Sequence, residues 1–132
     1  MRCTGPSAIR SWLKPFPYEG DLVYLTHILE RIERLEVIKD EGKNAFTDSF
    51  ILQDAAIRSF EVMGEAIKQL SSELRRRHPN VPWKRIAGFR DVLIHDYMGI
   101  NLRIVWDAMT INLPPLKKAV EEAVRDIKEG DT

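Results

Sequence analysis

From Asp21 onward, apolar side chains return at three- and four-residue steps: Leu22, Leu25, Ile28, Leu29, Ile32, Leu35 and Ile38. That spacing lays them along one face of a helix. Glu30, Arg31, Glu33, Arg34 and Lys39 fall between them and form a polar face whose opposite charges can pair weakly. Gly42 is expected to end this first helix. A second broad stripe runs from about Thr47 to Leu70, with Phe50, Ile51, Ala55, Phe60, Met63, Ile67 and Leu70 toward the core. Thr47 or Asp48 is available as its N-cap, and this segment is expected to be the longest helix.

Ser71 or Ser72 can cap a short turn through His78, which Pro79 stops because the residue before a proline avoids the α region. Pro82 suits a first helical position, and Trp83, Ile86, Phe89 and Leu93 carry the pattern to about His95, ahead of Gly99. Asn101 caps a last stretch through Leu102, Ile104, Val105, Trp106, Met109 and Leu113. Pro114 and Pro115 are expected to break or kink it, and Leu116, Ala119, Val120, Val124 and Ile127 then resume the period. No β alternation and no internal repeat stands out. The expected fold is all-α, an up-and-down bundle of four to five helices.

The length of 132 residues fits one domain, with residues 21–132 forming the bundle and residues 1–20 a flexible amino-terminal extension. That extension holds Pro6, Pro15 and Pro17 and lacks the continuous apolar run of a secretory signal. Cys3 is the single cysteine, so no intrachain disulfide can form, and a reducing, cytoplasmic setting is expected. No apolar run approaches the ~20 residues that cross a bilayer, so no membrane association is expected. His27, His78 and His95 show no zinc-ligand spacing, and neither a metal nor another cofactor is expected.

Twenty basic and twenty acidic residues cancel, but not evenly along the chain. Arg75, Arg76, Arg77, Lys84, Arg85 and Arg90 stand in a stretch without a carboxylate, which either attracts phosphate or is a solvated turn. Among the histidines, His27 lies within the first helix without a partner for chemistry, and His78 at a helix end beside cations suits a dipole partner. His95 has different company. Asp91 precedes it by four residues, on the same helix face, where its carboxylate can accept a hydrogen bond from one imidazole nitrogen and leave the other for proton transfer. Arg90 lies ~140° round the helix, and its long side chain can still reach a shared phosphate. On spacing alone an ordinary surface pair of Asp91 with His95 remains open.

The run from Pro82 to Tyr97, PWKRIAGFRDVLIHDY, resembles the core motif of the HepT-like family within the HEPN superfamily. Leu52-Gln53-Asp54-Ala55 and Phe60 to Ala66 resemble that family's second helix, and Val105-Trp106 with Leu113-Pro114-Pro115-Leu116 its last. The similarity extends from about Asp21 to Lys128. It implies the toxin of a type VII toxin–antitoxin pair: a homodimeric ribonuclease that cleaves RNA through an Arg-x-x-x-x-His motif, carried by Arg90 and His95. It also implies a partner, an MNT-type nucleotidyltransferase antitoxin, that silences the toxin by attaching AMP to Tyr97.

Metal-free cleavage fits these residues. Attack by a ribose 2′-hydroxyl on the adjacent phosphate needs a base, an acid and a cation beside the phosphorane, and Arg90 suits the last role. A two-fold dimer would bring two copies of His95 to one cleft and supply both proton-transfer groups. A rival reading is a non-catalytic module that binds a nucleotide or the nucleotidyltransferase without cutting RNA. Another is a structural dimer with Trp12, Trp83 and Trp106 as interface anchors, against which stands ordinary core burial of those rings.

Overall fold

A computed structural model describes residues 17–95 and 101–130, the side chains of residues 17–19, 94 and 95 excepted. All regular structure among them is helical. In chain order these are α1 (Pro17–Asp40), α2 (Lys43–Asp48), α3 (Phe50–Gln69), α4 (Ser72–Arg77), α5 (Trp83–His95), α6 (Leu102–Asp107), a π-helical segment (Ala108–Asn112) and α7 (Leu113–Gly130). Helix α1 packs against both α3 and α7, and α3 packs in turn against α5.

The first stripe behaves as its spacing predicts. Leu25, Ile28, Ile32 and Leu35 are fully buried and meet a core that includes Met63, Ile67 and Val120. Each such side chain contributes about 1.5–3 kcal/mol through removal from water. Helix α1 begins at Pro17, four residues ahead of the expected start, and at 24 residues it exceeds the 20 of α3, which was expected to be longest. Gly42 closes the connection with φ of 99°, a conformation that side-chain-bearing residues rarely adopt.

The second stripe differs from its expected register. Phe50 and Ile51 are 72% and 66% exposed, and Ala55 also faces out, whereas Ala56, Phe60, Met63 and Ile67 are buried. The reason lies just upstream, in a short helix that the apolar pattern does not announce. Helix α2 buries Phe46 against Trp106, with ring centroids 5.6 Å apart. Asp48 is the last residue of α2 and the Thr47 hydroxyl donates to the Lys43 carbonyl, so neither caps α3. Ser49 does: its Oγ accepts from Leu52 N at 3.2 Å.

The remaining caps fall where the sequence suggests. Ser71 Oγ accepts from Leu74 N at 3.1 Å, and Asn101 Oδ1 accepts from Arg103 N at 2.9 Å. The corner between α3 and α4 is also tied to α1. The buried Asp21 carboxylate accepts from Ser71 N at 2.8 Å and from Ser71 Oγ at 2.6 Å. A second tie joins α1 to α7, where Lys117 Nζ donates to both Glu36 carboxylate oxygens at 3.0 and 3.1 Å. That hydrogen bond and the attraction of Glu36 raise the Lys117 pKa above its ordinary value.

Pro114 and Pro115 neither break nor end the last helical rod. The backbone widens into a π turn just ahead of them, with Leu113 N donating to Ala108 O, five residues back. Proline rings collide with the carbonyl four residues earlier in an α-helix, and the wider turn relieves that clash while α7 proceeds with both prolines in its first turn. Trp83 is buried and its Nε1 donates to His78 O at 3.1 Å, and Trp106 packs on the core; Trp12 lies outside the described residues.

Candidate active site

Helix α5 carries Arg90, Asp91 and His95, and its placement depends on one residue of α3. A Cβ added at Gly64 would lie 2.5 Å from the Arg90 Cβ, so only glycine lets the two helices meet this closely. Phe60 and Phe89 pack edge to face on the same seam, 5.2 Å between centroids. Arg90 is therefore fixed at its base by backbone packing.

The guanidinium is held at its tip as well. Arg90 Nη1 donates to Asp91 Oδ1 at 3.1 Å, and Nη2 stands 3.3 Å from Glu65 Oε2 on α3. Lys68 Nζ, also on α3, donates to the same Asp91 Oδ1 at 3.1 Å. The hydrogen bond from Lys68 is the main reason that the Asp91 carboxyl is held below the ordinary carboxylate range; Arg90 adds to it and partial desolvation opposes it. Two cations and two carboxylates thus interlock across the α3–α5 seam. Each Nη of Arg90 still has a second hydrogen for a further acceptor such as a phosphate oxygen.

His95 is the last residue of α5, five residues beyond Arg90, or about 7.5 Å along the axis at 1.5 Å per residue. Its side chain, and with it the expected Asp91–His95 hydrogen bond, lies outside the described residues, as does Tyr97. The partners that Asp91 does show are Lys68 and Arg90.

The other cations predicted from sequence are dispersed. Arg75 turns back on α3, with Nη2 donating to Leu70 O at 2.8 Å and Lys68 O at 3.3 Å, so it caps that helix's terminal carbonyls. Arg77 pairs with Glu73 at 3.8 Å. Arg76, Lys84 and Arg85 are exposed. Arg85 borders an apolar cavity of about 400 Å³ lined by Phe89, Ile104 and Leu116, apart from the cleft to which Arg90 belongs. His78 caps α4, its Nε2 3.7 Å from Asp126 Oδ2.

Arg90 borders a more polar cleft of about 360 Å³, shared with Tyr24 and His27 of α1 and with Arg58, Glu61 and Glu65 of α3. Sequence reasoning missed Gly64 and Glu65 as neighbours of Arg90, and Lys68 as the neighbour of Asp91. One signal was present: Glu61, Glu65 and Lys68 recur at helical spacing and form a polar stripe beside the apolar one. Among the described residues, no three His, Cys, Asp or Glu side chains stand together as a metal site, and no helix is long and apolar enough to cross a membrane.

Residues 28–123 match the family described as "Ribonuclease HepT-like". The chain belongs to that family. A relative from Caldanaerobacter subterraneus subsp. tengcongensis, named as a putative RNase, is 44% identical over 106 residues, covering 80% of this chain and 95% of its own. A similarly named protein of Methanocaldococcus jannaschii is 40% identical over 116 residues, covering 87% and 96%. The "Probable ribonuclease HepT" of Thermococcus cleftensis is 37% identical over 102 residues, covering 75% and 91%. No solved structure matches this HepT-like chain. The matched region contains α3 and α5 whole, and so takes in Gly64, Arg90 and His95.

Proposed function

We propose that this HepT-like protein is a metal-independent ribonuclease whose active site forms when two copies bring Arg90 and His95 together, and that it is the toxin of a toxin–antitoxin pair. The observation that carries the reading is Arg90. It is seated by the Gly64 contact, braced by Glu65 and Asp91, and carried about 1.4 turns before His95 on the same helix. A guanidinium so fixed is suited to steady charge that builds on a phosphate during transfer, because no reorganisation is needed when the charge appears.

In this reading, one His95 removes the proton from a ribose 2′-hydroxyl as that oxygen attacks the adjacent phosphorus. The bond to the 5′-oxygen then breaks, and the partner copy's imidazolium returns a proton to the leaving oxygen. The products are a 2′,3′-cyclic phosphate and a 5′-hydroxyl. A nucleotidyltransferase antitoxin silences the site by joining AMP to Tyr97, which sets bulk and negative charge near Arg90 where an RNA phosphate would lie.

The test is cleavage of total RNA by purified protein in chelator. Wild type is expected to cut, while Arg90→Ala and His95→Ala each lose on the order of 100-fold or more with helical content unchanged. RNA binding without turnover by the wild type would favour a non-catalytic module instead. Solution scattering at micromolar concentration should give a dimer; a monomer that still cleaves would overturn the shared site.

A further inference from the structure

The mechanism uses Arg90 for the phosphate but leaves the rest of its cleft unassigned. We propose that this cleft, between α1 and α3, is a nucleobase subsite that favours guanine in the RNA strand. The proposal rests on the ribonuclease reading for its strand, and on the cleft for its base.

The walls suit a flat ring. Tyr24 and His27 meet edge to face, with centroids 6.4 Å apart and planes at 87°, so the half-buried tyrosine steadies an exposed imidazole that a base can stack on. Val62 and Ala66 add apolar surface. Stacking on such rings is tolerant of sequence and contributes about tenfold in affinity per base.

The charges suit an uncharged group. Arg58 and Arg90 are matched by Glu61 and Glu65, so apart from the Arg90 tip at its border the cleft offers no excess positive charge to hold a phosphate. A base can sit here while its own phosphate meets Arg90 at the border. Glu61 is held loosely, 3.9 Å from an Arg58 that is 70% exposed, and its carboxylate remains able to accept hydrogen bonds. Guanine alone among the four bases presents two neighbouring donors on its pairing edge, N1–H and the N2 amino group, which one carboxylate can accept together. Adenine and cytosine place an acceptor beside the amino group, and uracil flanks its one N–H with carbonyls; each would set a lone pair against Glu61.

Two measurements decide this. In the first, short single-stranded RNAs differing at one base beside the cut are cleaved by wild type, Glu61→Gln and His27→Ala. Wild type is expected to prefer guanine by on the order of tenfold. Glu61→Gln, which turns one acceptor into a donor, should erase most of that preference, and His27→Ala should raise KM about tenfold for all four bases with kcat little changed. In the second, GMP, AMP, CMP and UMP are titrated into wild type and Glu61→Gln and followed by NMR. GMP should bind most tightly and shift the Tyr24 and His27 ring signals. Cleavage with no base preference and no effect of either variant overturns the subsite while leaving the nuclease intact. GMP binding that depends on Glu61 in a protein that cuts nothing keeps the subsite and overturns the nuclease. A chain that neither cuts nor binds overturns both.

Discussion

Replacing Gly64 by alanine tests the seam on which the proposed site depends. The added methyl group would sit 2.5 Å from the Arg90 Cβ, whereas ordinary contact starts at 3.4 Å, so the helices must part by about 0.9 Å. Rotation of the arginine offers no escape, because the atom struck is its Cβ and moves only with the backbone of α5. Overpacking of this kind costs roughly 1–3 kcal/mol, and a backbone-fixed clash belongs at the upper end. Alanine returns about 1 kcal/mol through its better helix propensity, which leaves a net loss of about 2 kcal/mol. With an unfolding entropy of ~2.1 cal/mol/K per residue, a chain this long should lose about 7 °C in Tm. Cleavage should fall further than stability implies, since a shift of about 1 Å in a catalytic group can lower a rate ~100-fold. Gly88 supplies the control, because a Cβ there meets nothing within 4 Å. Gly88→Ala should raise Tm by up to about 4 °C and leave the rate alone. Thermal melts and initial cleavage rates at a temperature where both variants are folded make the comparison. A Gly64→Ala protein as stable and as active as wild type would refute the close-packed seam.

Asp21→Ala removes the acceptor of two Ser71 hydrogen bonds and leaves part-buried donors without that charged partner, so urea unfolding should show a loss of about 2 kcal/mol, while a loss below about 0.5 kcal/mol would make the tie decorative. The Asp91 carboxyl has a lowered pKa in the folded chain, so its contribution is present above the unfolded value near ~3.9 and disappears as the pH falls through the lower folded one. The difference in Tm between wild type and Asp91→Asn should therefore be steady from pH 5 upward and shrink in more acid solution; a difference that grows on acidification would contradict the Lys68–Asp91–Arg90 arrangement. RNA products should end in 2′,3′-cyclic phosphate and form equally well in EDTA, as mass spectrometry of the fragments can establish; 3′-hydroxyl ends would exclude the proposed chemistry. Tyr97→Phe should keep appreciable nuclease activity yet gain no AMP-sized mass after incubation with ATP, magnesium and the partner nucleotidyltransferase. Equal additions on both proteins would move the modification elsewhere.

The bundle was readable from the sequence wherever a long stripe repeated without interruption. Leu25, Ile28, Ile32 and Leu35 fall in the core as their spacing requires, and Ser71, Asn101 and Gly42 act at the ends where their chemistry suits. The register of α3 was less legible at its start, because Phe50 and Ile51 are apolar yet precede the turn at which the helix meets its neighbours. Helix α2 is six residues long and buries one large side chain, Phe46, too short a span for periodicity to register. At the site, local sequence could pair Arg90 only with residues on its own helix. Its brace comes from Glu65 and its anchor is shared with Lys68, 23 residues before Asp91, a proximity created by the packing of α3 on α5. The role of Gly64 likewise exists only across that seam, in its contact with the Arg90 Cβ.

The π turn at Ala108–Asn112 has a consequence for which insertions and deletions this chain can tolerate. An α-helix turns ~100° with each residue, but a turn closed by a hydrogen bond five residues back holds one residue more, so the five residues here advance the rod by about the angle that four would in an α-helix. Removing one residue within 108–112 would let the turn close as ordinary α-helix and keep Leu116, Val120, Ala123 and Ile127 toward the groove beside α1; its cost would be the returning clash of the proline rings, about 3 kcal/mol. The same deletion between Leu116 and Val120 should be more damaging, because it would swing Val120, Ala123 and Ile127 by ~100° out of that groove. The wide turn thus absorbs one residue between two halves of one rod while leaving them in phase.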